Sequence, residues 1–404
     1  MAETYNNVNL ELIKWQKRVT WTFLRASRFD NYTGAGPMNI IQRVMDLAGD
    51  GKQVNVPLMD QLRGDGVATG QLVGHEEQLD NYGIPLWADW LRHAVSFKKS
   101  STKESAINIR EQGTPALQSF IKRWRRDDMV DALLSIPTAT QPANFHTDPG
   151  NRINGLRWKD ASAGQRNSWL TANNDRVVFG SKLSNTVAGN VASSLSTMVA
   201  ATDKMTAGMG RLLKRQAQQT TAMASWPAIR PYQLAGDQEW YVCFMGSRAL
   251  RDLSNDPEMA NANLYARNRE NGNPLKENPI FTGAGFLKDG IIYREIPEID
   301  TRYILGTGSV GASSNGPLAG VGGASADVSP ILMCGMSAYA YVVGQMPKST
   351  NRDETDYQFL KGIGVEAQYG YGKIAKAPPD QAGAVGNLKD WGVVTGFAIS
   401  IPDA

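Results

Sequence analysis

The chain has 404 residues, with 42 basic against 39 acidic side chains and a net charge of +3. That near balance argues against a dedicated nucleic-acid binder, in which a basic patch or stripe dominates, and the length suits two or three domains or one large elaborated one. Two cysteines, Cys243 and Cys334, cannot make a disulfide framework. No window approaches 18 uninterrupted apolar residues, so no membrane span is expected, and the N-terminus shows no basic-then-apolar leader, which reads as a soluble protein made inside the cell.

Residues 1–48 form an arm. Leu10, Ile13, Lys14, Lys17 and Arg18 suit a short amphipathic helix, and Trp15, Trp21, Phe23, Phe29 and Tyr32 follow without clean periodicity. An aromatic-rich terminal segment with no core of its own is expected to dock elsewhere. Residues 49–98 read as a long hairpin. Lys52 to Leu58 alternates apolar and polar, the period of a half-buried strand, and Ile84 to Phe97 is a second strand-like run. Pro57 and Pro85 confine their positions to edges or bulges. The polar tip between the strands carries Arg63, Asp65, His75, Glu76 and Glu77. A two-stranded ribbon is marginal in water, so this one is expected to lie on another subunit.

The spacing predicts a long helix over 101–136. Ser101 and Glu104 have capping-box spacing, and Leu117, Phe120, Ile121 and Trp124 recur at i, i+3, i+4 and i+7, continued by Val130, Leu133 and Leu134. Thr114-Pro115 is expected to kink or restart it, with Lys122, Arg123, Arg125, Arg126, Asp127 and Asp128 on the wet face. Further along, 138–195 is polar, with one clear strand at Arg176–Phe179. A helix is expected over 203–219, with Asp203 near its start and a basic end that suits the macrodipole. Strands are expected at 239–245, 290–296, 331–343, 364–372 and 390–401, with a short helix at 247–253. The polar span 254–279 and the glycine-rich span 306–329 read as loops. Strands and helices in this order give an α+β fold rather than alternating βαβα.

No reaction centre assembles from these residues. Gly306-Thr-Gly308-Ser-Val-Gly311 spells a dinucleotide fingerprint, the one hint of a nucleotide-dependent oxidoreductase, but Gly- and Pro-rich sequence follows where a helix must open. His75, Glu76, Glu77 and Asp80 are the densest set of metal-type ligands, yet they miss H-E-x-x-H and read as a solvated tip. The basic helix cluster reads as a wet face or as inter-subunit salt bridges. The aromatic and Gly alternation of the C-terminal strands also raises a pore-type β protein, which the capped long helix opposes. Neither catalytic residues, a cofactor nor a metal is expected. What is present is an arm, a hairpin, a long helix and large loops, all features that need neighbours.

The ordered series GDGKQVNVPLMDQLRGDGVATGQLVGHEEQLDNYGIPLWADWLRHAVSF, INIREQGTPALQSFIKRW, DRVVFGSKLSN, TDKMTAGMGRLLKRQA, EWYVCFMGSRALRDL and GVEAQYGYGK with KDWGVVTGFAIS resembles the major capsid proteins of N4-like tailed phages. The resemblance implies an HK97-type capsid fold. In it 1–48 is the N-terminal arm, 49–98 the E-loop hairpin and 99–195 the peripheral domain, with spine helix 101–136. Residues 196–345 are the axial domain, and 346–404 return to the peripheral domain. It also implies hexamers and pentamers in an icosahedral shell around double-stranded DNA, non-specific contact with that packaged DNA, assembly with a scaffolding protein and a portal, and room for a decoration protein. Arg63, Asp65, His75, Glu76, Glu77, Arg123, Arg126 and Asp127 are the expected inter-subunit contacts.

Overall fold

A computed structural model of the chain describes residues 27–49, 51–59, 67–76, 81–100, 109–141, 151–219, 228–235, 238–267, 286–306, 315–355, 359–376 and 388–402. The chain divides into two compact units. The larger comprises Arg28–Trp90, Arg126–Met346 and Gln368–Ala404, the smaller Met1–Ser27, Leu91–Arg125 and Pro347–Ala367.

The larger unit opens with short strands Thr33–Gly34 (β1) and Ile41–Val44 (β2), then the hairpin strands Gln53–Met59 (β3) and Asn81–Trp87 (β4). Strand β2 pairs in parallel with the start of Tyr339–Thr355 (β13), from Tyr339↔Ile41 to Val342↔Val44. The end of Leu360–Lys373 (β14) pairs with Ile153–Asn154 (β6). Small strands Ala375–Lys376 (β15) and Lys389–Asp390 (β16) pair antiparallel beside them.

A seven-stranded sheet forms the main core. Its strands are Val177–Phe179 (β7), Gln233–Ala235 (β8), Gln238–Met245 (β9), Phe286–Lys288 (β10), Ile291–Glu295 (β11), Val328–Cys334 (β12) and Val393–Ile399 (β17). They run in the order β10-β11-β9-β12-β17-β7, with β8 beside β9. Every residue of β12 and β17 is buried. Both faces are therefore covered, which is why these strands read as apolar runs without alternation. On one face lies a helix, Ala207–Gln218, started by Thr206, whose hydroxyl accepts from Met209 N at 3.2 Å. Its Met209, Leu212, Leu213 and Ala217 are buried at helical spacing. Gly396 in β17 lets that helix approach: a Cβ there would lie 3.1 Å from Leu213 Cδ2 and Met209 Cε. On the other face Phe397 stacks on Phe179 at 5.1 Å, and Trp158 meets Trp169 edge-on at 5.6 Å.

The smaller unit holds the first turns of the longest helix, Ile109–Leu133 (α1), and the distal residues of β14, β13 and Asp89–Lys98 (β5). Leu117 and Ile121 are buried. His93 stacks on Phe120 at 4.1 Å, and Trp124, half-buried, tilts against the same ring at 6.0 Å. Leu117, Ile121, Ile363 and Val365 line a shallow groove of about 310 Å³.

Several expectations need correction. Helix α1 runs unbroken through Pro115 and ends at Leu133. An interior proline forfeits one backbone hydrogen bond and crowds the carbonyl four residues before it, and the helix continues through both costs. Residues 101–108, with the expected capping box, lie outside the described residues. Asp203 does not start the following helix, which begins at Ala207. The 331–343 run is two strands in two different sheets, β12 and β13. The polar span after 254 holds a helix, Pro257–Arg267, and the polar 138–195 span holds two more, Ala163–Ala172 and Val191–Ser196. The first of those is set by a full capping box between Ser162 and Gln165. The end of the arm also differs. Phe29 and Tyr32 are buried edge-on against Phe244 of the same chain, at 5.5 and 5.4 Å.

Candidate functional site

The hairpin has two distinct parts. Strands β3 and β4 pair antiparallel from Gln53↔Trp87 to Met59↔Asn81. The alternation gives this stem one apolar face, and Val56, Leu58, Ile84 and Leu86 bury it against Val44, Ala340, Val342, Ile374 and Leu388. Trp87 is fully buried and donates its indole N–H to Asn151 O at 3.0 Å. The stem therefore rests on its own chain, not on another subunit as its length suggested, because its inward face finds an apolar partner at home. Residues 67–76 of the tip are different, for every one of them is exposed. Leu72 is 61% and Val73 77% exposed, so the tip holds out apolar side chains that its own chain does not cover.

The C-terminal turns of α1 are fastened by buried charge. Asp128 Oδ2 accepts from Arg152 Nε and from Tyr369 OH, both at 2.8 Å, and Asp128 and Arg152 are both almost fully buried. Three residues on, Asp131 Oδ1 accepts from Arg302 Nε at 2.8 Å. Burial pushes the Asp131 carboxyl up, and the Arg302 guanidinium offsets only part of that. Burial likewise raises the Tyr303 phenol. The helix's last carbonyls, which lack intrahelical donors, are met by tyrosines: Tyr303 OH donates to Val130 O at 2.7 Å and Tyr339 OH to Leu133 O at 3.0 Å. Asp128 is thus not on the wet face.

Asp203 organises a loop. Gly180 holds a left-handed φ of 66° and leaves space for the Asp203 carboxylate. That carboxylate accepts from Val199 N at 2.7 Å and Ser181 N at 3.0 Å. Burial alone would raise its pKa, but these hydrogen bonds outweigh burial and hold the carboxyl below the usual range. A lowered carboxyl contributes stability that is present above the unfolded value of about 3.9 and is lost as pH falls through the folded one. Asp203→Asn is therefore expected to lower the urea midpoint at neutral pH and to flatten its fall on acidification below about pH 4. Urea titrations of both proteins across that range check it.

Arg63, Asp65 and Glu77 lie outside the described residues. His75 and Glu76 are exposed in the tip, where His75 N donates to Leu72 O at 3.0 Å. Arg123 is exposed, with its guanidinium 5.8 Å from the Phe120 ring centroid. Arg126 bonds within its own chain, to Asp127 at 2.9 Å and Glu298 at 3.3 Å. Sequence reasoning missed Asp131, Arg152 and Arg302. The one available signal was the i, i+3 spacing of Asp128 and Asp131.

Other sequence features resolve in structural terms. Arg302 to Leu305 is a π-helical turn, not the strand that a dinucleotide fingerprint needs. Gly308 and Gly311 lie outside the described residues. Asp327, at the right distance for a ribose partner, instead pairs with Arg248 at 2.9 Å. Cys243 and Cys334 are buried and free. Their register neighbours are Met333 and Val242, which places them on opposite faces of the sheet. Burial raises both thiols. Among the described residues no three His, Cys, Asp or Glu side chains converge as a metal site, and no helix is long and apolar enough to cross a membrane.

The tip thus holds out apolar side chains on a stem that rests on its own chain, and the C-terminal end of α1 is held by buried ion pairs. The phage capsid protein family matches residues 4–397. Among solved structures, the capsid asymmetric unit of cyanophage Pam1 aligns at TM-score 0.81 and 27% identity, covering 100% of both chains. The capsid of Ralstonia phage GP4 aligns at 0.66 and 18% over 100% of both. The capsid of Helicobacter pylori bacteriophage KHP30 aligns at 0.66 and 14% over 98% of this chain and 97% of that one. The fold is that of HK97-like phage capsid proteins. No curated protein sequence matches the chain. With the family match running almost end to end, the chain belongs to the phage capsid protein family.

Proposed function

We propose that the chain is the major capsid protein of an N4-like tailed phage, assembling in the host cytoplasm into hexamers and pentamers of an icosahedral shell around double-stranded DNA. The observation that carries this is the end-to-end similarity to a phage capsid subunit at 27% identity. In this reading 49–98 is the E-loop and α1 belongs to the spine helix. Residues 196–345 form the axial domain, and 346–404 close back on the peripheral domain. A scaffolding protein, a portal and a decoration protein are the further partners. The exposed tip supports the reading, because a subunit repeated around a closed shell can cover on its neighbour what it leaves bare on itself. The energy that stabilises such elements is shared with assembly.

Electron microscopy of the purified full-length chain tests it. Closed shells, capsomers or tubes are expected. A compact monomer that persists at high concentration and with added scaffolding protein would defeat the proposal.

A further inference from the structure

A cavity of about 470 Å³ lies in the larger unit between helix Ala163–Ala172, helix Val191–Ser196 and residues 317–321. That volume is in the usual range for a small-molecule site. Buried Trp158, Val191, Leu195 and Leu318 give it apolar walls. Its polar lining is Arg166, Asn167 and Asn190, with no carboxylate. Asn167 Oδ1 accepts from Val191 N and Asn190 Oδ1 from Ser193 N, both at 3.0 Å. A backbone N–H can only donate, so both amides are fixed in orientation and each keeps its NH2 as the group left to donate. Arg166 is half-buried. Its Nη2 donates to Trp158 O at 2.7 Å, and its guanidinium lies 5.2 Å from the Trp158 ring centroid. These two contacts hold the guanidinium in place and leave Nη1 to donate. Among the described residues Arg166 has no acidic partner, and its Nε is buried without an acceptor. Burial pulls its pKa down with no carboxylate to offset it. A cation drawn out of water without a counter-ion costs stability, and an anion brought to it would reduce that cost.

We infer that this cavity binds a small monocarboxylic acid with an apolar body. The carboxylate meets the Arg166 guanidinium and the Asn167 and Asn190 amides, and the body lies against Trp158, Leu195 and Leu318. The site goes beyond the coat-protein reading and does not depend on it. A single guanidinium balances a single carboxylate, and a charge-assisted hydrogen bond between them is about twice as strong as a neutral one. A phosphate is the less suitable ligand, because it carries more charge than one guanidinium balances and the apolar walls would strip its water. A neutral apolar compound would fill the walls but leave the Arg166 charge unmet.

The test titrates the full-length chain with 3-phenylpropionate and with neutral 3-phenylpropanamide, which has the same shape, by ligand-observed NMR. The acid is expected to bind with a dissociation constant of about 1 mM or below, and at least about tenfold more tightly than the amide. Arg166→Gln is expected to weaken the acid about tenfold and to leave the amide within about twofold. Lys182→Gln removes an exposed cation that does not line the cavity and is expected to change neither. Ala192→Trp, which adds bulk to the cavity from an exposed position, is expected to abolish acid binding and serves if Arg166→Gln fails to fold. Equal binding of acid and amide by the wild type would overturn the inference, as would no binding of the acid at about 10 mM. So would equal losses from Arg166→Gln and Lys182→Gln, since overall charge would then explain binding. An Arg166→Gln chain whose melting curve shifts while its acid-to-amide ratio stays at the wild-type value would also overturn it, leaving Arg166 as packing on Trp158. Tighter acid-selective binding of a tripeptide ending in phenylalanine would overturn it too, because the cavity would then belong to a polypeptide end.

Discussion

Asp128→Ala is expected to lower the stability of the chain by about 3–5 kcal/mol, the range for removing one partner of a buried ion pair. Asp128 and Arg152 are 1% and 2% exposed, and the same carboxylate oxygen receives the Tyr369 hydroxyl. Alanine would leave a buried guanidinium and a buried phenol facing a methyl group. Asp127, the next residue, provides the control. It is partly exposed, and its partner Arg126 keeps Glu298 when Asp127 is removed. Asp127→Ala should therefore cost less than about 1 kcal/mol. Urea unfolding of the two variants separates them. The double replacement Asp128→Leu/Arg152→Met should recover much of the loss, because an apolar pair of similar volume avoids desolvating two charges. If Asp128→Ala unfolds no earlier than Asp127→Ala, the clamp on α1 is not an energetic one.

The same pair shows how far the sequence could be read. The apolar stripe of α1 gave away the helix, since Leu117 and Ile121 lie on its buried side. The charged residues after Trp124 looked like one wet face because charge usually means water. Only the fold determines that Asp127 meets Arg126 while Asp128 meets Arg152, whose sequence position is remote from both. Lys373, at the end of β14, and Asp390, in the two-residue β16, repeat the point: they pair at 2.8 Å, both buried, with no sequence pattern to mark them. Strands β12 and β17 were legible only as parts of the strand-like runs 331–343 and 390–401, and their partners across the sheet were not, because burial on both faces leaves no alternation that would reveal a face. The helices at 163–172 and 257–267 were hidden by weak apolar periodicity. Capping fixes the first, and no sequence period marks the second. The hairpin was legible as strand, tip and strand, while the resting place of its stem was not. That depended on an apolar surface assembled from Val44 and, about 300 residues later, Ala340 and Ile374.

The hairpin should respond to mutation in two opposite ways. Leu86→Ala, in the stem, is expected to lower stability by about 2–5 kcal/mol, the usual loss for a buried leucine. Leu86 is fully buried in a cluster drawn from its own chain. Glu76→Lys, in the tip, touches nothing that holds the chain together, since Glu76 and its neighbours from 67 are all exposed. Its effect on the melting transition should stay within about 0.5 kcal/mol. Particle yield should nevertheless drop about tenfold or more, because reversing a charge at a repeated contact acts on every interface of the shell, and about 1.4 kcal/mol per contact already changes each equilibrium tenfold. Denaturant curves and negative-stain particle counts on the same preparations measure the two effects together. A Glu76→Lys chain that melts normally and still yields wild-type numbers of particles would mean that the tip is not an assembly contact. The hydrophobic side chains of Leu72 and Val73 would then need another partner. If instead Glu76→Lys melts early, the tip is bound to its own chain after all, and the division between a self-supported stem and a shared tip fails.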